Sequence, residues 1–245
     1  MTSLSRIFSS AVPIVAMAAL LAPRAMAATV EGKISLTGSR QDAARKQKNF
    51  SGVVVWLEGQ FAAPLPAASQ TVQMVQKAKT FTPHVMAIPA GSTVDFPNFD
   101  PIFHNAFSNF AGQPFDTGLY PPGGSHKIRF RREGVVRVFC NIHPAMSAVI
   151  VVLKSPYFTT TNAAGEFRIG GVPPGEYVVR AFHERATPET LKALERKVVV
   201  QDGPLTLPEI SISESGYIEA VHMNKHGLEY PPVAEDQAQY SGARR

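Results

Sequence analysis

A seven-residue segment in the second half of the chain constrains this protein more than any other. Cys140, His143 and Met146 stand there at Cys-x2-His-x2-Met spacing. Apolar runs with strand character flank the segment, Val135–Phe139 before it and Ala148–Leu153 after it. A fold that pairs these two strands brings a thiol, an imidazole and a thioether together in one tight loop at the end of a sandwich.

His104 is the best placed source of a fourth ligand. It stands next to Asn105 in a phenylalanine-rich segment, where one strand turns into the next, and Cys140 is the only cysteine among 245 residues. Two imidazoles, one thiolate and a weak axial thioether form the ligand set of a mononuclear type 1 copper site. We therefore predict one copper ion bound by His104, Cys140, His143 and Met146. This ligand set points to electron transfer and not to an enzyme.

Other interpretations of the same residues stay open. Zinc also binds two imidazoles and a thiolate, although a thioether neighbour and the lack of a fourth hard ligand favour copper. A Cys–His pair can serve as a nucleophile, but no third residue or oxyanion motif accompanies it. Taken singly, Cys140 fits a buried thiol, Met146 fits core packing and His143 fits a surface position. Their combination with His104-Asn105 favours the metal.

The start of the chain predicts export. Arg6, the apolar run Ala11–Ala22 and the sequence Ala25-Met26-Ala27 match a cleaved secretory signal, with an uncleaved anchor as the alternative. Loss of residues 1–27 removes Arg6 and Arg24 and no acidic residue, so the formal net charge falls from +5 to +3. That charge is too small and too dispersed to indicate nucleic-acid binding. We expect a periplasmic protein with no membrane span after signal cleavage.

Prolines and glycines separate many short strand patterns, which predicts an all-β protein. One short helix is predicted over Pro188–Arg196, a solvated loop over Gln41–Asn49 and a linker over Phe61–Gln70. The predicted strands are Thr29–Leu36, Val53–Leu57, Thr71–Met74, Val85–Ile88, Thr93–Phe96, His126–Arg132, Val135–Cys140, Ala148–Leu153, Phe158–Thr161, Glu166–Ile169, Glu176–Phe182, Lys197–Gln201 and Ile210–Ile212.

The central part of the chain resembles the cupredoxins, the superfamily of plastocyanin and amicyanin. The resemblance covers residues 71–153, and its short Cys-x2-His-x2-Met loop is similar to that of amicyanins rather than to the longer loop of plastocyanins. The residues that carry it are Pro83, Val85, the run Gly91–Asp100, His104-Asn105, Gly134 and the run Cys140–Met146.

The resemblance implies a Greek-key β-sandwich and a role for each site residue. His104, Cys140 and His143 would be the equatorial copper ligands, and Met146 the axial one. Asn105 would hold the cysteine strand through a hydrogen bond, and His143 would lie near the surface as the electron port. Apolar neighbours are expected to limit water at the site, namely Phe96, Phe99, Phe103, Phe107 and Phe139.

The segment Asn162–Ala181 resembles a carboxypeptidase-regulatory module, a β-sandwich similar to transthyretin that has no catalysis of its own. The resemblance rests on Gly165-x-Phe167 and on Pro173-Pro174-Gly175-x-Tyr177. We therefore divide the chain into a signal peptide (1–27), a cupredoxin domain (28–154, core 71–153), a second sandwich (155–215) and a flexible tail (216–245). Strands within 29–57 belong either to the cupredoxin or to the second sandwich; in the second case the cupredoxin is an insertion.

The pair of modules is similar to exported proteins of the methylamine-utilisation type. This implies redox partners such as a periplasmic dehydrogenase or a c-type cytochrome. The chain has no Cys-x-x-Cys-His motif, so it binds no covalent haem itself. Two other classes of function stay open: a copper-binding chaperone or storage protein, and a scaffold module whose metal site is structural.

Overall fold

The computed structural model describes residues 27–60, 70–109, 113–218 and 222–230. Within these ranges the chain is nearly all β, which confirms the predicted fold class. Most of the predicted signal, linker and distal tail lie outside the described residues.

The helices are α1 (Asp42–Arg45) and α2 (Pro188–Ala193). The strands are β1 (Ala28–Thr37), β2 (Val54–Glu58), β3 (Thr71–Gln73), β4 (Val75–Lys77), β5 (Thr80–Thr82), β6 (Val85–Pro89), β7 (Thr93–Pro97), β8 (Phe107–Ser108), β9 (Phe115–Asp116), β10 (Ser125–Arg129), β11 (Gly134–Phe139), β12 (Ser147–Leu153), β13 (Phe158–Thr160), β14 (Glu166–Val172), β15 (Gly175–Phe182), β16 (Arg196–Val200), β17 (Pro204–Thr206) and β18 (Ile210–Ser213).

Two four-stranded sheets form the first sandwich. In one, β1 pairs with β14, β17 and β18; in the other the order is β13-β2-β15-β16. Every second residue of β1 faces the shared core, including Val30, Ile34 and Leu36, as expected for a strand with one buried face. The inward position 32 is a glycine, because a Cβ there would lie 2.8 Å from the ring of Phe167.

A second group of sheets lies between β2 and β13 in the chain. Its largest sheet has the order β6-β12-β11-β8-β9, and it is accompanied by a three-stranded sheet, β10-β7-β3, and the hairpin β4-β5. These strands share their own apolar core, which includes Phe96, Phe130 and Ile150. Cys140 and Met146 belong to the same core.

The chain leaves the first sandwich and later returns to the same sheet. Strands β2 and β13 pair antiparallel, with Trp56 opposite Phe158, and every described strand between them belongs to the second group. The early strands β1 and β2 pair with strands that follow Phe158. Of the two arrangements that the sequence left open, this strand pairing is that of an insertion.

Strand β12 is buried on both faces, which explains its unbroken apolar sequence. Ala148, Ile150 and Val152 point into the second core. Val149, Val151 and Leu153 pack instead with residues of β2 and β15, such as Val54 and Phe182. One strand thus joins the two units through an apolar interface.

Short elements account for the differences from the predicted secondary structure. Helix α1 lies inside the predicted loop Gln41–Asn49, with Asp42 paired to both Arg45 and Lys46. The strands β4, β5, β8, β9 and β17 have only two or three residues each, too few to show a period in the sequence. Among the described residues no helix is long and apolar enough to cross a membrane.

A polar contact also connects the two units. His84, just before β6, has its Nε2 atom 2.7 Å from Oε2 of Glu184, which follows β15. Its Nδ1 atom lies 3.0 Å from the carbonyl oxygen of Ser147. The Glu184 carboxylate raises the pKa of His84, in opposition to the effects of burial and of Arg185. An imidazole with an acceptor at each nitrogen is best satisfied when both nitrogens carry protons.

We predict that this contact makes stability depend on pH. Because the folded-state pKa of His84 is raised above an unfolded value of about 6.5, its contribution is complete below that value and is lost as pH rises through the folded-state pKa. In urea unfolding from about pH 6 to about pH 9, wild type should exceed His84→Gln in stability at the acid end only. The difference should be about 1 kcal/mol or less, because His84 is 49% exposed.

The exposed His126 lies on β10, and His126→Gln is the matched control for loss of a surface imidazole. The stability of this control gives the baseline with which the His84→Gln curve is compared. A gap between wild type and His84→Gln that stayed constant with pH would contradict the prediction.

Candidate metal centre

Antiparallel pairing of β11 and β12 sets the position of the ligand loop, residues 140–146. Phe139 lies opposite Ser147, so the loop is the direct connection between the two strands. The Cys140 N–H donates to the carbonyl oxygen of Met146 (3.1 Å), and the Met146 N–H donates to that of His143 (2.9 Å). These bonds fold the loop back on itself and turn its ligand residues toward one end of the second core.

His104 reaches the same end from a different part of the chain. It lies between β7 and β8 and forms an isolated antiparallel bridge with Tyr120. The Tyr120 N–H donates to the His104 carbonyl oxygen at 2.9 Å, and the His104 N–H donates in return at 3.3 Å. The Tyr120 hydroxyl donates to the carbonyl oxygen of Phe96 at 2.7 Å. The backbone of His104 is therefore fixed to Tyr120, whose side chain is in turn bonded to the backbone of the core strand β7.

The predicted ligand residues come together in the structure. Sγ of Cys140 lies 3.7 Å from Nδ1 of His104 and 3.5 Å from Nδ1 of His143. One ligand atom from each of these three residues lies within 4.8 Å of the others. Cys140 and His104 are fully buried, and His143 is half-buried. Met146 is 1% exposed and packs in the same core as Cys140.

Burial controls the charge of these groups. It raises the pKa of the Cys140 thiol, although backbone N–H groups of Asn105, Ile142 and His143 act in the opposite direction. Burial also lowers the pKa of His104, against the attraction of Asp100. A neutral imidazole is the form that binds a metal, and a buried thiol releases its proton on metal binding.

Asp100 lies behind the His104 ring and holds its outer nitrogen. Oδ2 of Asp100 is 2.7 Å from Nε2 of His104, on the side of the ring away from Cys140. The same carboxylate accepts backbone N–H groups from Ala78 (2.6 Å) and Lys79 (2.8 Å). Burial would raise the pKa of Asp100, but these donors together lower it. A carboxylate in this place favours the tautomer that leaves Nδ1 free to bind a metal.

Asn105 connects the two halves of the site, as the resemblance implied. Its side-chain oxygen accepts the backbone N–H of Asn141 at 2.6 Å, directly after the cysteine. Its amide nitrogen donates to Asp116 at 3.2 Å. Asn105 is completely buried, and its two bonds connect the loop to β9.

The structure brings His104, Cys140 and His143 together and buries Met146 in the same core as Cys140, but sequence reasoning missed two supporting features. One is Asp100, whose available signal was a carboxylate four positions before a ligand histidine. The other is the segment 222–230, part of the predicted flexible tail. That prediction is wrong for these residues, because His222 and Tyr230 contact the ligand loop. Phe99 also differs from expectation: it is 60% exposed and does not exclude water.

Comparison with solved structures finds partial likenesses to copper proteins. A Cu-containing nitrite reductase from Thermus scotoductus SA-01 is 28% identical, with 38% of this chain and 25% of that chain covered and a TM-score of 0.33. This chain thus spans about a quarter of the reductase. A purple cupredoxin from Nitrosopumilus maritimus is 26% identical, with coverages of 34% and 99% and a TM-score of 0.31. A mutant of amicyanin in its Cu(I) form is 15% identical, with coverages of 40% and 98% and a TM-score of 0.33.

No protein-family model matches the chain, and no curated protein matches it either. Structural likenesses with TM-scores near 0.3 carry no argument about function. The chemical case therefore rests on the donor set itself. Two imidazole nitrogens and a sulfur converge, a buried thioether lies in the same core, and the Asp100 carboxylate is engaged behind His104. This set fits copper, which takes imidazole and soft sulfur ligands together.

We predict that Asp100→Asn destabilises the metal-free protein. Both carboxylate oxygens accept N–H groups, and an amide nitrogen in place of either oxygen leaves a buried donor unpaired. The free energy of unfolding in urea should fall by about 1–3 kcal/mol. In wild type, 15N chemical shifts of the His104 ring should place its proton on Nε2.

Asp42→Asn is the control, because Asp42 has only exposed partners; it should reduce the free energy of unfolding much less than Asp100→Asn does. Equal stability of Asp100→Asn and wild type, or a His104 proton on Nδ1, would show that the carboxylate does not hold the ring.

Proposed function

We propose that this chain is an exported type 1 copper protein that transfers single electrons between redox partners. The observation that carries the proposal is the convergence of one thiol sulfur and two imidazole Nδ1 atoms, at 3.7 Å and 3.5 Å, in the buried end of a β-sandwich. Met146, buried in the same core, supplies the thioether that type 1 centres use as a weak ligand. Copper bound there would supply one-electron exchange between its cuprous and cupric states.

The protein's contribution is a fixed set of donors. Asp100 orients His104 from behind, and Asn105 fixes the backbone beside Cys140. The loop bonds between Cys140, His143 and Met146 hold the remaining donors. Ligands that are positioned by packing and hydrogen bonds move little when the charge of the site changes. Small motion is the property that an electron carrier needs.

The surroundings of Cys140 argue against a catalytic nucleophile. Reactive cysteines are accessible and have lowered pKa values. Cys140 is completely buried, and burial raises its pKa. Burial also protects a lone thiol in an oxidising compartment. We therefore propose no enzymatic activity for this site.

Electron exchange is proposed to occur at the loop end of the site. His143 is half-buried, and the adjacent Pro144 and Ala145 are exposed, so a partner can approach close to a ligand without entering the core. We propose a periplasmic location and redox protein partners, such as a dehydrogenase or a c-type cytochrome. The sandwich formed by β1, β2 and β13–β18 is proposed to be an accessory module of the carboxypeptidase-regulatory type.

The test is the visible and EPR spectrum of the copper-loaded mature protein. We expect intense visible absorption from thiolate-to-copper charge transfer, and we expect Cys140→Ser to abolish it. Met146→Leu should retain the absorption but shift its energy and raise the reduction potential. Met74→Leu is the matched control, because Met74 is a fully buried thioether of the same core; it should leave both properties unchanged.

Other functions predict other results. A copper chaperone would release Cu(I) rapidly to a competing chelator and would not cycle between oxidation states. A scaffold would keep partner binding unchanged in Cys140→Ser. Absence of strong visible absorption with copper, together with no effect of Cys140→Ser, would overturn the proposal.

A further inference from the structure

The C-terminal segment 222–230 forms hydrogen bonds with the ligand loop at three of the loop's seven positions. Nε2 of His222 lies 2.6 Å from the carbonyl oxygen of Pro144. The backbone N–H of Lys225 donates to the side-chain oxygen of Asn141 at 2.9 Å. The Tyr230 hydroxyl donates to the carbonyl oxygen of Cys140 at 2.9 Å. These contacts connect positions more than 75 residues apart in the chain.

Residues 222–230 also make aromatic and ionic contacts with the strands beside the loop. The His222 ring stacks on Phe139 with centroids 3.9 Å apart and planes inclined by 22°. Tyr230 packs edge-on against His222 at 5.2 Å. Nζ of Lys225 lies 2.7 Å from Oδ2 of Asp116, the carboxylate that also accepts from Asn105. The segment therefore contacts both the cysteine strand and Asp116, the acceptor of the Asn105 amide that anchors the loop.

The segment has internal structure of its own. The Asn224 N–H donates to the Leu228 carbonyl oxygen at 2.8 Å, and the Gly227 N–H donates to the Asn224 carbonyl oxygen at 2.9 Å. The side-chain oxygen of Asn224 accepts the N–H groups of His226 and Leu228. Gly227 has φ +74°, a value that favours glycine in such a turn. This turn holds Lys225 and Tyr230 in place to reach the loop together.

We propose that residues 222–230 form a clasp that keeps the ligand loop closed and thereby limits metal exchange. The inference rests on the proposed copper site for its metal readout, but its structural readout is independent of copper. Loop opening would have to break the three hydrogen bonds of the clasp in addition to the loop's own bonds. Loss of one net hydrogen bond shifts such an opening equilibrium about fivefold.

The placement of the clasp suits retention of metal without obstruction of a partner. Its loop contacts fall at positions 140, 141 and 144, on either side of His143, and they engage the backbone and one amide side chain. Pro144 and Ala145 remain exposed. The clasp thus opposes opening of the loop while the surface next to the half-buried ligand stays accessible.

The first experiment compares two truncations of the mature chain. One ends at Ile218 and lacks the clasp; the other ends at Tyr230 and retains it. In stopped-flow transfer of Cu(I) to excess bathocuproine disulfonate, the truncation at Ile218 should release copper at least about tenfold faster than the full chain, since several hydrogen bonds are lost. The truncation at Tyr230 should release copper at the rate of the full chain.

A single substitution tests the same idea without truncation. Tyr230→Phe removes one hydroxyl and retains the ring, so it should accelerate release about fivefold. Tyr217→Phe, outside the clasp, is the matched control and should have no effect. Hydrogen exchange of the metal-free proteins gives the second readout: the amides of Cys140, Asn141 and Met146 should exchange faster in Tyr230→Phe and in the truncation at Ile218.

The outcomes separate the two proposals. Equal copper release and equal loop exchange in Tyr230→Phe and wild type would overturn the clasp, whatever the fate of the Ile218 truncation. Faster loop exchange in a protein that shows no copper charge-transfer band would support the clasp as a closure of the loop and overturn the copper function. A copper charge-transfer band together with unchanged loop exchange in Tyr230→Phe would support the copper function and overturn the clasp.

Discussion

The burial of β12 on both faces is the constraint on which the rest of the structure depends. One face completes the core that contains Cys140 and Met146, and the other packs against the sandwich formed by β1, β2 and β13–β18. A one-residue shift in the register of such a strand would exchange its two apolar sets, so that each set would have to pack in the core that fits the other. Because Ser147 directly follows the ligand loop and pairs with Phe139, the fixed register of β12 also fixes where the loop begins and ends.

The two sides of the site are held in different ways. His104 is completely buried, and Asp100 and the bridge to Tyr120 hold it from the core side. The loop ligands lie at the surface end, where backbone bonds within the loop and contacts from Asn105 position them. The loop side, where His143 is half-buried and Pro144 and Ala145 are exposed, is therefore the accessible side of the site.

Local sequence patterns predicted most strands and singled out the spacing of Cys140, His143 and Met146, because strand periodicity and residue spacing are short-range properties. Val135–Cys140 and Ala148–Leu153, for example, differ from β11 and β12 by one residue at their ends. The pairing of β1 with β14 joins segments that are far apart in the chain. The role of Asp100 depends on its contacts with Ala78, Lys79 and His104. No local sequence pattern contains either relation. The segment 222–230 was missed for a related reason: its sequence is polar without a period. Its hydrogen bonds reach two backbone carbonyl oxygens and one amide side chain of a loop some 80 residues earlier.

The loop side of the site must meet two opposing requirements if the protein carries electrons. A partner has to approach close to His143, which favours an open surface, whereas retention of the metal favours a closed one. A cover over the whole loop would satisfy only the second requirement. Contacts to the carbonyl oxygens of Cys140 and Pro144 and to the Asn141 amide resist movement of the loop backbone and leave Pro144 and Ala145 exposed. Restraint of the backbone, rather than coverage of the surface, is therefore the arrangement that reconciles electron exchange with a firmly held metal.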